Sequence, residues 1–310
     1  MDGLLNPYWI QIFGFACIFA VSALGLNVIY GYTGLFSLGH AAFYGAGAYT
    51  AAFLMKGYVG AFGDEAFLPA QAAFLGSLAA GGLVAALLAF LVGLPVLRLT
   101  SDYLGIATLG FGVIMKVLFD NADSLLPQLG GARGMTGIPR MTGTPWVVAG
   151  LVAAILVARN LVHSTYGRAL IAIREDEGKA EAVGINTMLY KVLAFGISAY
   201  FMAVAGGIYS YFFTYIDPQF IFDIFTGVTM VLISILGGRG TLWGPVLGAF
   251  IMEPLGNWII GTFGGTQIHL TVFGGILLLV MLFMPQGILP TLSDLIKQRQ
   301  RAKLAKVPSS

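Results

Sequence analysis

Charge-free intervals divide this chain into segments. Between Asp2 and Lys56 there is no Asp, Glu, Lys or Arg, and about 20 apolar residues are enough to cross a ~30 Å hydrocarbon core. That interval predicts two crossings, at 8–30 and 41–55, joined by G-Y-T-G-L-F-S-L-G-H. A third apolar run covers 67–97, with Gly81-Gly82 expected to interrupt it and Pro95 to end it. After Arg98 and Asp102 comes a short segment at 103–119 that contains Lys116. Residues 120–144 are polar and rich in Gly and Pro, and read as a loop. The apolar pattern resumes at 145–162, gives way to a charged stretch and returns at 192–214. In the last third, 224–236 and 241–255 flank a G-G-R-G interruption at 237–240, and 269–289 is the final apolar run. The count is nine crossings. The segments 41–55 and 224–236 are short enough to be re-entrant halves. The expected class is therefore all-α: a polytopic membrane protein of about 8–10 transmembrane helices, some broken or re-entrant. One transmembrane domain would cover 1–292, followed by a basic tail at 293–310.

Composition agrees with a bilayer. The chain is 58% hydrophobic and 10% charged, with a mean hydropathy of +0.87, against roughly 25% charged residues in soluble domains. Its 43 glycines are about twice the usual ~7%, and small residues let membrane helices approach closely. The single Cys17 can form no internal disulfide and no thiolate metal site. His40, His163 and His269 have no metal-ligand spacing, and a net charge of +2 is too small to suggest nucleic acid. No cofactor is expected. The N-terminus M-D-G-L-L-N-P lacks the basic region of a cleavable signal.

The remaining charge is concentrated. Nine of the 16 basic and 14 acidic side chains fall between residues 159 and 191, and the tail adds Lys297, Arg299, Arg301, Lys303 and Lys306 against Asp294. The positive-inside rule places both in the cytoplasm. Walking back from a cytoplasmic tail, alternation puts 237–240, 163–190, Arg98–Asp102 and 31–40 inside. It puts 215–222, 120–144 and the G-D-E connection near 63–65 outside, with the N-terminus outside as well.

Within the charged segment, Ser164 and Thr165 are N-cap residues and Gly184 suits C′ after Val183. Leu170, Ile173, Ala180 and Val183 recur at helical spacing between them. Glu175 and Lys179 make an i,i+4 pair, while Gly178 and the like-charged Glu177 and Glu181 oppose one uninterrupted helix. One or two short helices lying across the membrane face are expected, held by docking against the membrane domain or a partner. A solvated loop that merely obeys the positive-inside rule explains the composition equally well.

G-R-A-L-I-A-I-R-E-D-E-G-K-A-E-A-V-G-I-N, followed by Y-K-V-L-A-F-G-I-S-A, resembles the cytoplasmic signature of the permease subunits of branched-chain amino-acid ABC importers, the LivM type. The resemblance returns in L-G-L-N-V-I-Y-G-Y-T-G-L-F-S-L-G-H-A-A-F-Y-G-A-G-A-Y-T at 24–50, in S-D-Y-L-G-I-A-T-L-G-F-G at 101–112 and in L-G-G-R-G-T-L-W-G-P-V-L-G-A at 236–249. One departure is that many members carry a further apolar helix before the first one here. The resemblance implies a half-transporter that pairs with a second, LivH-like permease. Two cytoplasmic ABC ATPase subunits and a periplasmic or lipid-anchored substrate-binding protein complete the assembly, in the inner membrane. It makes 163–190 the ATPase-coupling loop. Arg168, Arg174, Glu175, Asp176, Glu177 and Glu181 would be its polar contacts, Leu170 and Ile173 its apolar anchors, and Gly184 its cap. Cargo would be a branched-chain amino acid, with urea or short amides as the alternative inside the family.

Other readings are weighed on the residues. No G-x-x-x-x-G-K-[ST] is present, since Gly178-Lys179 is followed by Ala180, so ATP chemistry belongs to another polypeptide. The spans are almost free of ionisable groups, against an ion-coupled secondary transporter, and no catalytic cluster sits at membrane depth. Ser37, His40 and Thr108 are the candidate translocation-path residues, because irregular backbone at membrane depth is tolerated where it lines a cavity or is buried in protein. The alternative for His40 is a buried, hydrogen-bonded core residue. For 41–52 the small-residue pairs Ala41/Gly45, Ala42/Ala46, Gly47/Ala51 and Ala48/Ala52 favour helix packing. Arg239 reads as an inside anchor, and Asp102, Lys116 and Glu253 as groups near span ends. G-Y-T-G-L-F at 31–36 and G-R-G-T-L-W at 238–243 are faintly alike.

Overall fold

Asn6 starts the first helix. Its side chain accepts from the Tyr8 amide at 3.2 Å, and Pro7 takes the first helical position, where its missing N–H is harmless. From there α1 runs over Pro7–Leu26 and widens into a π-helical turn at Asn27–Tyr32. Residues 33–39 are irregular, and α2 follows as His40–Phe62. The computed structural model describes residues 6–62, 67–99, 101–124, 126–140 and 143–263, together with 271–272, 274–275, 278–279, 282 and 287–292. The remaining helices are α3 (Phe67–Val96), α4 (Ser101–Asp120), α5 (Thr144–His163), α6 (Thr165–Glu175), α7 (Glu177–Ala182), α8 (Thr187–Phe213), α9 (Pro218–Ile221), α10 (Ile224–Gly237) and α11 (Gly244–Phe263). Among the described residues the single β-type pairing is Met135 with Ile216. The protein is an all-α polytopic membrane protein.

Among the described residues, five helices are long and apolar enough to cross a membrane: Pro7–Tyr32, Ala70–Val96, Tyr103–Asp120, Thr144–His163 and Thr187–Phe213. The helices α2, α10 and α11 coincide with three further expected segments. The expected span at 269–289 is described only at scattered positions, and the 63–65 connection and the 293–310 tail lie outside the described residues. Three boundaries differ from expectation, one being the end of α11, which runs to Phe263 rather than 255 and so puts Glu253 at mid-helix rather than near a span end. Lys56 does not end α2, because its ammonium leaves the helix to donate to the Thr136 carbonyl at 2.9 Å. Gly81-Gly82 does not interrupt α3, because the missing side chains bring it against the Gly47 carbonyl and the Tyr200 ring.

Burial divides the helices into two groups. Within their most apolar stretches, α1 is 89% buried and α8 78%, whereas α5 is 22% buried. The first two form the centre with α2, and α3, α4 and α5 present leucine and valine outward. An apolar environment between helices gives no hydrophobic drive, so close van der Waals contact has to hold the centre. The α2–α8 crossing is the tightest case: a Cβ at Gly206 would collide with the Tyr44 carbonyl, and one at Gly47 with the Ala203 backbone.

Connections sort to two ends. Arg174 of α6 reaches both the 31–40 and the 237–244 segments. At the opposite end Met135 and Ile216 exchange backbone bonds of 2.9 and 3.1 Å, and Gln219 donates to Asp120. Alternation along the chain predicts this sorting.

Gly206→Leu is expected to destabilise by about 1–3 kcal/mol or more, because the added atoms meet backbone that cannot move aside. Gly76→Ala, where a methyl meets open space, is expected to be neutral or to gain about 0.5–1 kcal/mol. Thermal unfolding of the detergent-solubilised variants, read by size-exclusion fluorescence, measures both.

Candidate functional site

The charged segment folds as two helices. Ser164 caps α6, its hydroxyl accepting from the Gly167 amide at 3.2 Å. Asp176 then leaves helical geometry (φ −163°, ψ 109°) and caps α7, accepting from the Lys179 amide at 3.0 Å. Ile185 N–H bonds the Ala180 carbonyl and Gly184 N–H the Glu181 carbonyl, at 3.0 and 2.9 Å. With Gly184 at φ 89° this is a Schellman ending, which suits glycine because a Cβ is strained there. The expected Glu175–Lys179 pair is not formed, since the break between them destroys the i,i+4 geometry. Lys179 instead pairs with Asp176 at 2.9 Å, and Glu175 with Arg174 at 2.8 Å.

Two more charges of this segment are tied inward. Lys191 of α8 holds Glu177, and Thr187 donates to Glu181 at 2.7 Å. Arg168 reaches back to the His163 carbonyl at 3.3 Å, and Tyr166 stacks on Tyr190 with ring centroids 5.3 Å apart. Leu170 and Ile173 are 1% and 4% exposed. They face the rest of this chain, where α6 packs on α5, α8 and the π-helical turn. This corrects their expected place as anchors in a partner's groove: the apolar stripe of an interfacial helix is used up by its own membrane domain. The outward side is a shallow depression at the α6–α7 junction, lined by Ala172, Glu175, Asp176, Lys179, Ala180 and Val183.

Arg174 makes the longest reach in sequence of this segment. Its Nη1 donates to the Gly31 carbonyl at 2.7 Å, and its stem lies on Gly34, where a Cβ would stand 3.0 Å from Cγ. A Cβ at Gly240 would be 2.6 Å from Nη1. One guanidinium therefore touches both glycine-rich breaks. Asn27 ties the same breaks from within. Its Nδ2 donates to the Thr241 carbonyl and its Oδ1 accepts from the Gly240 amide, both at 2.8 Å. Arg239 of the second break lies over the Tyr30 ring beside the first, 5.9 Å from its centroid. Sequence reasoning passed over Asn27. The available signal was an amide inside an apolar span, which at that depth calls for a polar partner.

Ser37, His40 and Thr108 are brought together, all buried. Ser198 Oγ donates to the Gly25 carbonyl at 2.7 Å, so it accepts from His40 Nε2–H at 2.9 Å. Nδ1 is then the acceptor of the Ser37 hydroxyl at 2.7 Å. That order assigns a neutral imidazole with both nitrogens used. Thr108 accepts from the Leu38 amide at 3.2 Å and donates to the Gly105 carbonyl at 3.0 Å. Phe43 and Phe195 meet the imidazole edge-on. Among the described residues no group of His, Cys, Asp and Glu could hold a metal ion.

Two measurements test this geometry. Asn27→Leu leaves the Gly240 amide and Thr241 carbonyl without their partner, at about 1–3 kcal/mol each, and is expected to raise amide exchange across 236–244. Hydrogen bonds from Lys179 hold the Asp176 carboxyl below its ordinary 3.8. A depressed carboxyl contributes order that is present above 3.8 and lost as pH falls through its lowered value. A spin label at 178 is expected to show constant mobility from pH 5 to 8 and greater mobility below that ordinary value.

The chain matches the family described as "Branched-chain amino acid transport system / permease component" over residues 8–281. It is 31% identical to the high-affinity branched-chain amino acid transport system permease protein LivM of Escherichia coli, over 92% of this chain and 71% of that protein. The LivM protein of Salmonella typhimurium is 32% identical over 88% of this chain and 68% of its own length. The LivH protein of Escherichia coli is 26% identical over 87% of this chain and 91% of its own. No solved structure matches. A match across nearly the whole membrane body, including both glycine breaks and the helices that rest on them, places this chain in the branched-chain amino acid transport permease family.

Proposed function

We propose that this chain is one permease half of an ATP-driven importer of branched-chain amino acids in the inner membrane of a bacterial cell. Residues 1–292 form its transport domain and 293–310 a cytoplasmic tail. It hydrolyses nothing itself. Two ABC ATPase subunits work on it through 163–190, a LivH-like permease completes the path, and a binding protein delivers cargo from outside.

The observation that carries this reading is the contact of Arg174 with Gly31, Gly34 and Gly240. A helix lying across the membrane face and clamped to two broken spans is a lever: displacing it must move both breaks. The outward depression at the α6–α7 junction is the surface offered to an ATPase. There Glu175, Asp176 and Lys179 supply polar contacts, and Val183, 77% exposed, an apolar one. Arg168, Glu177, Glu181 and Gly184 hold the shape of that surface. In the same reading Ser37, His40 and Thr108 lock the first break against α4 and α8 beside the path.

Val183→Asp is expected to lower ATP-dependent leucine uptake about tenfold, the equivalent of ~1.4 kcal/mol at the contact, at unchanged permease level in the membrane. Unaltered uptake would sink the assignment of that surface. Leu170→Asp serves as the contrast, and is expected to lower the amount of folded permease itself. For cargo and partners, the complex is purified from native membranes and every associated chain identified. Competition of labelled leucine uptake by isoleucine and valine but not by urea is the expected result, and competition by urea selects the short-amide reading.

A further inference from the structure

Helix connections in bundles commonly take about 2–8 residues, and the connection at 121–143 between α4 and α5 far exceeds that. It folds into three 3-10 turns, Ala122–Ser124, Pro127–Leu129 and Gly131–Arg133, and continues as a non-helical strap to residue 140. The strap is pinned along its length. Met135 and Ile216 exchange backbone hydrogen bonds at 2.9 and 3.1 Å, the Tyr215 hydroxyl donates to the Arg133 carbonyl at 3.2 Å, and Lys56 holds the Thr136 carbonyl at 2.9 Å. Met135 and Ile138 are buried, at 1% and 3% exposure.

The guanidinium groups of Arg133 and Arg140 take no part in this. Both residues are exposed, and among the described residues neither side chain makes a hydrogen bond or an ion pair. The aspartates of this end are placed otherwise. Asp217 and Asp223 cap α9 and α10, accepting from the Gln219 and Phe225 amides at 2.9 and 3.2 Å, Asp120 accepts from the Gln219 side chain at 3.1 Å, and Asp123 lies against Gly131. Two free cations here need a reason. In the importer reading this end faces outward, where Lys and Arg in a short connection work against the orientation that the positive-inside rule favours. The connection paired with the strap adds Tyr215 and Phe220, 43% and 42% exposed. Arginine beside exposed aromatic rings is the composition of a protein–protein contact.

We infer that the strap at 133–140, with Arg133, Arg140 and the paired connection at 215–220, is the docking face for the substrate-delivering protein, which presents carboxylates to the two arginines. A planar guanidinium takes a carboxylate through two parallel hydrogen bonds, and a backbone already fixed loses little freedom on binding. A layer of anionic headgroups needs charge alone; a pinned backbone bordered by aromatic rings suits the fixed surface of a protein. This assignment rests on the importer reading, which supplies the delivering protein, and names where that protein lands.

The test uses the complete complex of permeases and ATPases in nanodiscs, with the leucine-loaded binding protein of the same cells as the probe, and reads its affinity at equal amounts of assembled complex. Arg133→Glu combined with Arg140→Glu is expected to weaken binding about tenfold, ~1.4 kcal/mol, and to remove most of the weakening that rising ionic strength causes in the unmodified complex. Arg133→Lys combined with Arg140→Lys is expected to keep most of the affinity and the salt dependence. Unchanged affinity in the glutamate variant, or binding to the unmodified complex that is indifferent to ionic strength, overturns the assignment while leaving the importer intact. A glutamate variant that still binds the delivering protein but no longer adheres to phosphatidylglycerol vesicles overturns it in favour of a lipid contact. Leucine uptake by the unmodified complex in proteoliposomes that proceeds equally well without the binding protein overturns the importer reading instead.

Discussion

Backbone amides and carbonyls at membrane depth must find partners inside the protein, because no water is there to take them and each orphan costs several kcal/mol. Two segments of this chain leave helical geometry between crossings, and each would expose such groups. The structure satisfies them with each other's neighbourhood. Asn27 takes the Gly240 amide and the Thr241 carbonyl, Arg174 takes the Gly31 carbonyl, and the glycines allow the two chains to approach. This shared satisfaction fixes where α10 and α11 stand relative to α1. It also fixes where the surface helix α6 must lie.

The same constraint ties α6 to the first break. Moving α6 away from the membrane face removes the Gly31 bond and uncovers a carbonyl, so α6 and the break move together or at a cost. Below that contact, the Ser37–His40–Ser198–Gly25 chain of hydrogen bonds is closed at both ends, a fully satisfied buried network of the kind that specifies one arrangement. Rigid packing of α2 on α8 transmits the position of one to the other, because backbone in direct contact cannot be compressed.

This chain has no G-x-x-x-x-G-K-[ST] motif and few ionisable groups in its spans. What it has is a charged surface segment, two glycine-rich breaks that meet at Arg174, and a buried hydrogen-bond chain through His40.

The pattern of apolar runs by itself determined the membrane class, the positions of eight helices and the two-ended sorting of connections. These follow from length and charge, which need no partner to be read. Caps were legible for the same reason: Ser164 and Gly184 act within one turn of themselves. Tertiary structure decided the rest. Leu170 and Ile173 had an apolar stripe that any surface could have received, and only the position of α5 and α8 shows that the membrane domain receives it. Gly81-Gly82 read as a break because glycine weakens an isolated helix, yet a neighbour's backbone close by makes it a contact. Gly31 and Arg174 are 143 positions apart and Asn27 and Gly240 lie 213 apart; their meeting is a property of the folded bundle, since hydrogen bonds across such separations exist only once the helices between them have packed.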